Sequence, residues 1–188
     1  MPILRRRQGT STCSTATLPL EMREQLREPA LGAVPLDAEG STWAVATASS
    51  LVVFNGRSGP ETHPWDEVEQ GSWDGQDRVF TLRWTQQDRE DLALKVPAGV
   101  RNGDAYASVD VAPFAKALRQ RVEAAIIHSA VATLPSGATA TASVRRGSDG
   151  ELCSVTRPLI SQVDEAEDRR TLRELENRVR EGVGLPTR

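Results

Sequence analysis

His63, His128, Cys13 and Cys153 form a two-His, two-Cys set, the ligand number and types that a tetrahedral zinc ion takes. Their spacing contains no C-x-x-C and no H-x-x-x-H unit, and Cys13 falls in a polar N-terminal stretch, so no metal site is expected. His63, beside Pro64, reads as a turn residue. His128 reads as the end of a long helix, where its protonated ring would offset the terminal carbonyls. Asp66, Glu67 and Glu69 cluster near His63, and Asp74 and Asp77 flank a turn. Carboxylates beside a lone histidine can move protons. Acids in turns, however, mostly face water or bond to their own backbone. The chain holds no G-x-S-x-G, no phosphate-binding P-loop and no G-x-G-x-x-G. No catalytic residue and no cofactor is expected, and the chain reads as a non-enzyme.

Binding chemistry has other candidates. Trp43, Trp65, Trp73 and Trp84 all fall between residues 42 and 96. Packing explains Trp43 and Trp84, whose large apolar area dominates a core. Trp65, at a strand entry, has a second reading as part of a protein-binding surface, because tryptophan is enriched where interfaces hold most tightly. Arg145 and Arg146, with Arg5, Arg6 and Arg7, are the basic groups that could meet an anionic lipid surface. The formal net charge of −3 argues against a general nucleic-acid binder, since a phosphate backbone demands basic surface. Arginine nearly replaces lysine, with Lys95 and Lys116 alone, and alanine is abundant, a pattern that fits a GC-rich bacterial genome.

These residues need elements to position them. In residues 43–47 and 51–54 β-branched and aromatic side chains are dense, which predicts two strands. Asn55-Gly56 and Ser58-Gly59-Pro60 close the second. In residues 79–85, Val79, Thr81, Arg83 and Thr85 share one face while Phe80, Leu82 and Trp84 share the other. Asp74-Gly75-Gln76-Asp77 joins that strand to residues 68–73 as a hairpin. Residues 92–96 close the series, giving an antiparallel meander. Residues 18–28 predict a short helix, and residues 31–36 a first strand, on an edge because of Pro35. Residues 97–107 read as a loop. Residues 111–129 predict an amphipathic helix capped by Asp110, with Phe114, Leu118, Val122 and Ile126 repeating every four. Residues 138–145 and 152–156 predict a second hairpin. Residues 164–181 predict a final helix with a narrow stripe of Leu172, Leu175 and Val179.

A meander followed by one long amphipathic helix resembles a pleckstrin-homology-like barrel. The likeness sharpens in Trp43-Ala44-Val45-Ala46-Thr47, in Leu51-Val52-Val53-Phe54, and in Pro64-Trp65-Asp66-Glu67-Val68 followed by Trp73. It covers roughly residues 30 to 130, and the chain also resembles uncharacterised actinobacterial proteins, which carry no known activity to transfer. Phosphoinositide-binding members place lysines and arginines in the first hairpin. Here that turn, Asp37 to Ser41, is acidic.

The reading is therefore an α+β chain: an antiparallel β-meander forming a pleckstrin-homology-like barrel or sandwich, capped by an amphipathic helix, plus a C-terminal β-hairpin and helix. Residues 1–17 are a disordered tail, 18–130 the domain, and 131–188 an accessory hairpin–helix segment. With 188 residues and 38% hydrophobic residues, the chain can bury a core. No run is long enough to span a bilayer and no apolar stretch follows the arginine triplet, so the cytoplasm is the expected location. The function expected is a non-catalytic module binding a protein or peptide. Association with anionic lipid is the alternative. The accessory segment packs on its own barrel or on a second copy in a two-fold dimer.

Overall fold

A computed structural model describes residues 12–56, 59–102, 105–147 and 149–187. In chain order the elements are β1 (Thr12–Cys13), α1 (Leu20–Glu24), β2 (Gly32–Pro35), β3 (Trp43–Ala46), β4 (Ser50–Phe54), β5 (Glu61–Pro64), β6 (Val68–Asp74), β7 (Val79–Trp84) and β8 (Leu92–Lys95). They continue with β9 (Gly99–Asn102), β10 (Ala105–Val109), α2 (Ala112–Ala125), β11 (Ile126–Thr133), β12 (Thr139–Arg146), β13 (Leu152–Arg157) and α3 (Ala166–Glu181). Short 3-10 turns lie at Thr15–Thr17, Trp65–Glu67 and Ile160–Gln162. The fold is α+β. Its sheets run β1-β10-β9, β2-β3-β4-β5, β6-β7-β8 and β11-β12-β13, and the only parallel pair among the assigned registers is β1 with β10.

No closed barrel forms among the described residues, because the strands belong to four separate sheets. The outer strands of the four-stranded sheet, β2 and β5, end in Pro35 and Pro64. Each proline removes an N–H that a further strand would need, and closure requires an unbroken ladder.

Two compact units divide the chain. The first takes Met1–Thr62, Ser72–Thr81 and Ala93–Leu118. Strands β2, β3 and β4 are buried along their whole length. Trp43, Val45, Val52 and Phe54 form one core cluster with Cys13, Leu18, Ala33, Val100 and Ala107. The hairpin between β2 and β3 turns on Asp37, whose carboxylate accepts the Ser41 amide at 2.9 Å and the hydroxyls of Ser41 and Thr42. Burial pushes this carboxyl up, but the hydrogen bonds from Thr42 and Ser41 outweigh it and hold it below its ordinary value. The start of α2 follows its sequence: Asp110 accepts the Ala112 amide at 3.0 Å, and Pro113 falls in the first turn. Phe114 is fully buried, with its ring edge against Phe80 at 5.0 Å. Gly32 passes directly under the helix start. A Cβ there would stand 2.6 Å from Phe114 Cα and from the Pro113 carbonyl oxygen.

Three expectations need correction in this unit. Residues 12–17 are not a loose tail: β1 pairs with β10, Cys13 is 4% exposed, and Thr15 Oγ1 accepts the Ala33 amide at 3.0 Å. The rest of the expected tail, residues 1–11 with the arginine triplet, lies outside the described residues. Residues 97–107 are not a loop, because β9 and β10 pair, with Val100 opposite Ala107 and both buried. The first helix is also shorter than residues 18–28, ending at Glu24.

The second unit takes His63–Gly71, Leu82–Leu92 and Arg119–Arg188. Here α2 ends at Ala125 rather than at residue 129, and β11 begins at the next residue. The β-branched Ile126, Ile127 and Val131 favour a strand, and pairing with β12 settles the competition. The expected C-terminal hairpin thus has three strands. The stripe of α3 behaves as its spacing predicts: Leu172, Leu175 and Val179 are buried against Ala140, Ala142 and Val144 of β12. Small alanines on the sheet let the helix approach closely. Asp168 at the start of α3 accepts the Ser136 amide at 3.0 Å, fixing the turn between β11 and β12.

Candidate functional site

The residues that could have supplied chemistry are dispersed: Cys13, Asp74 and Asp77 belong to the first unit and the others to the second. Arg89 organises one group. Its Nη1 donates to Glu67 Oε2 at 3.0 Å and its Nη2 to His63 Nδ1 at 3.0 Å. Its Cζ lies 3.5 Å from the centroid of the Trp84 ring, and His63 stands 5.0 Å from that ring. A guanidinium can only donate. His63 Nδ1 is therefore the acceptor of this contact. The arrangement is a cation held over an aromatic face, with Glu67 and His63 as its acceptors.

Glu69, next to this group in sequence, faces elsewhere and pairs through two hydrogen bonds with Arg157. That contact raises Arg157 further above the usual guanidinium value.

The three residues singled out for binding go to different environments. Trp65 is 4% exposed and packs inside the unit. Arg145 is 1% exposed, and its Nη2 donates to the carbonyl oxygens of Val68 at 2.5 Å and Trp65 at 3.5 Å. Its Nε has no hydrogen-bond partner among the described residues. Burial pulls this guanidinium below its usual value, with Glu69, Cys153 and Asp66 opposing. Arg146, the next residue, is exposed. The expected pair of surface cations is thus one surface cation and one buried cross-brace.

The histidines and cysteines are likewise scattered over the fold. Cys13 is buried in the first unit with Sγ 3.0 Å from Thr17 Oγ1. Cys153 is exposed on β13, and partial desolvation of its thiol, the largest influence on it, pushes the thiol up. His128 lies on β11 opposite Val144, not at a helix end. Among the described residues no group of three or more His, Cys, Asp or Glu side chains is placed to hold a metal ion.

What sequence reasoning missed is β11. The register sets Ser129 opposite Ser143, Val131 opposite Thr141 and Thr133 opposite Thr139. Ala130 and Ala132, on the other face, pack against the α3 cluster. Alternation therefore places Ser129, Val131 and Thr133 together on the face away from that cluster, while Ile127 lies at the break in the β11–β12 register. Val131 is 68% exposed and Ile127 40%. Among the described residues no strand pairs with the outer edge of β11. The eight residues Ile126–Thr133 include no charge and no proline. Soluble proteins usually guard an open edge with those residues or with a bulge. Here only an irregularity between Ile126 and His128 does so, at one end. The opposite edge, β13, is partly closed: Gln87 Nε2 donates to the Thr156 carbonyl at 2.9 Å. A groove of about 500 Å³ lies there, lined by Thr85, Gln86, Val155, Leu159, Ile160 and Glu176 among others.

No family model matches the chain, and no curated protein or solved structure does so either.

Proposed function

We propose that the chain is a non-catalytic protein-binding module that takes an added strand at the free edge of β11. The observation that carries this reading is the uncharged, proline-free edge on which Ile127 and Val131 are exposed. Main-chain hydrogen bonds to an open edge supply affinity for an extended segment, and exposed apolar side chains on alternate positions supply selectivity. A pleckstrin-homology-like arrangement of residues 30 to 130 belongs to the same proposal. Its support is the order of elements, a run of antiparallel strands followed by the amphipathic α2.

Selection from a displayed random-peptide library, followed by amide hydrogen exchange with a recovered peptide, tests the reading. Slowed exchange across residues 127–131, lost in Val131→Lys, is the expected result. Peptides that protect only other segments overturn it. The lipid alternative keeps Arg146 of its two C-terminal arginines as a surface cation. Sedimentation with phosphatidylserine vesicles at low and physiological salt separates that alternative from the first reading.

A further inference from the structure

We infer that the first unit binds a free α-amino acid with an apolar side chain, in a cavity walled by β1, β9, β10 and the turn that joins β2 to β3. The cavity holds about 250 Å³, and Cys13, Trp43, Val100 and Ala107, all buried, form its apolar wall. Small residues keep it open. Val100 faces Ala107 across the β9–β10 register, and the alanine side chain leaves room that a longer one would fill. Gly40 borders the same space. A Cβ there would stand 3.3 Å from Val100 Cγ1, and its φ of +70° is one that glycine adopts freely. Sites for drug-sized ligands span about 300–1,000 Å³, so the occupant of this one is smaller.

Charge decides what kind of molecule fits. Glu39 and Arg101 also line the cavity, and both are exposed. The Arg101 amide donates to the Ala38 carbonyl at 2.8 Å, which sets Arg101 beside Glu39 along the rim. Yet the two side chains do not pair, and among the described residues neither has an ion pair or a side-chain hydrogen bond elsewhere. A simple anion would meet Arg101 but be opposed by Glu39, and a simple cation the reverse. An α-amino acid carries both charges on one carbon. Its ammonium suits the Glu39 carboxylate, and its carboxylate suits the forked donors of Arg101.

The side chain then enters the cavity, where burial of apolar surface is favourable. Polar groups in that wall are already bonded: Trp43 Nε1 donates to the Gly40 carbonyl at 2.8 Å, and Cys13 Sγ lies 3.0 Å from Thr17 Oγ1. A polar side chain would lose its water there without gaining those partners, so the wall selects an apolar one. The site shares no residue with β11, and its failure leaves the strand-addition reading standing.

Calorimetric titration of the full chain with L-alanine, L-valine, L-leucine and L-phenylalanine, followed by amide exchange, tests the inference. At least one of the four binds saturably and slows exchange over residues 38–43 and 99–107. Glycine, which lacks the apolar side chain, binds more weakly. So do the matching carboxylic acid without the ammonium and the matching amine without the carboxylate. Arg101→Gln and Glu39→Gln keep the melting temperature, and each lowers the affinity about tenfold or more, as the loss of a hydrogen bond to a charged group does. No binding by any of the four overturns the inference. Binding that leaves exchange over those residues unchanged overturns it too, because the ligand then sits elsewhere. Undiminished binding in either variant does the same.

Discussion

Arg145 donates to the carbonyl oxygen of Val68, 77 residues earlier in the chain, and among the described residues no carboxylate hydrogen-bonds to it. A buried guanidinium held by carbonyls is costly to keep charged. Arg145→Met fills a similar volume and removes that cost but leaves the Val68 carbonyl unsatisfied. The net loss expected is about 1–3 kcal/mol in urea unfolding. Arg145→Glu, placed near Glu69 and Asp66, is expected to cost roughly 3–5 kcal/mol. Equal stability of the two variants would falsify the cross-brace.

Gly32 is fixed by backbone proximity. In Gly32→Ala the new methyl meets Phe114 Cα and the Pro113 carbonyl, neither of which can swing away. Overpacking of this kind costs about 1–3 kcal/mol. Gly59→Ala is the control, since a Cβ there meets nothing within 4 Å. Calorimetry should separate the two, and a Gly32→Ala melting temperature matching that of Gly59→Ala would move α2 away from β2.

Asp37 is held below its ordinary value in the folded chain. A depressed carboxyl stabilises the fold at pH values above its unfolded value, about 3.9, and that stabilisation is lost as pH falls through the lower, folded value. The wild type should therefore lose more stability than Asp37→Ala on acidification below pH about 4. Urea midpoints measured across that range provide the check. Parallel curves would show that Thr42 and Ser41 do not favour the ionised form. Glu28 is lowered too, chiefly by the Ser49 amide, so the substitution removes only part of the acid sensitivity.

Removing residues 1–17 should lower the melting temperature by several degrees, because it deletes β1 and uncovers the cluster around Trp43. Thr15→Ala isolates one part of that loss. It leaves the Ala33 amide without its acceptor, at a cost of about 1 kcal/mol. An unchanged melting temperature on deletion would return this stretch to a solvated tail.

The parts of this fold that could be read from sequence are those whose period has one interpretation. Phe80, Leu82 and Trp84 alternate with Val79, Thr81 and Arg83, and the structure buries the first set while leaving Arg83 exposed. Leu172, Leu175 and Val179 sit on one helical stripe and are all buried. Ile126 has two interpretations: it follows Val122 by four, as a helix wants, and it opens an alternating run, as a strand wants. Pairing with β12 decides between them, and no local pattern records that pairing. Asn102-Gly103 breaks a helix or strand pattern, which makes residues 97–107 read as a loop, although the same pair between alternating residues is also a hairpin signal. Arg145 continues the polar alternation of Thr139, Thr141 and Ser143. Its burial comes from the turn and strand around Trp65 and Val68, far upstream, so its neighbours in sequence could not announce it.

The core clusters around Trp43 and around Leu172 do not interleave along the chain. The first draws on residues between Cys13 and Val109, the second on residues between Ala130 and Leu185. A ribosome releases the chain at about 5–20 residues per second, N-terminus first. The first cluster thus has all of its members several seconds before the second does. When β11 leaves the exit tunnel, the partner strand that covers its inner edge is still inside it. For that interval both edges of an uncharged strand are open at once, and neighbouring nascent chains on one messenger are the nearest source of a matching edge.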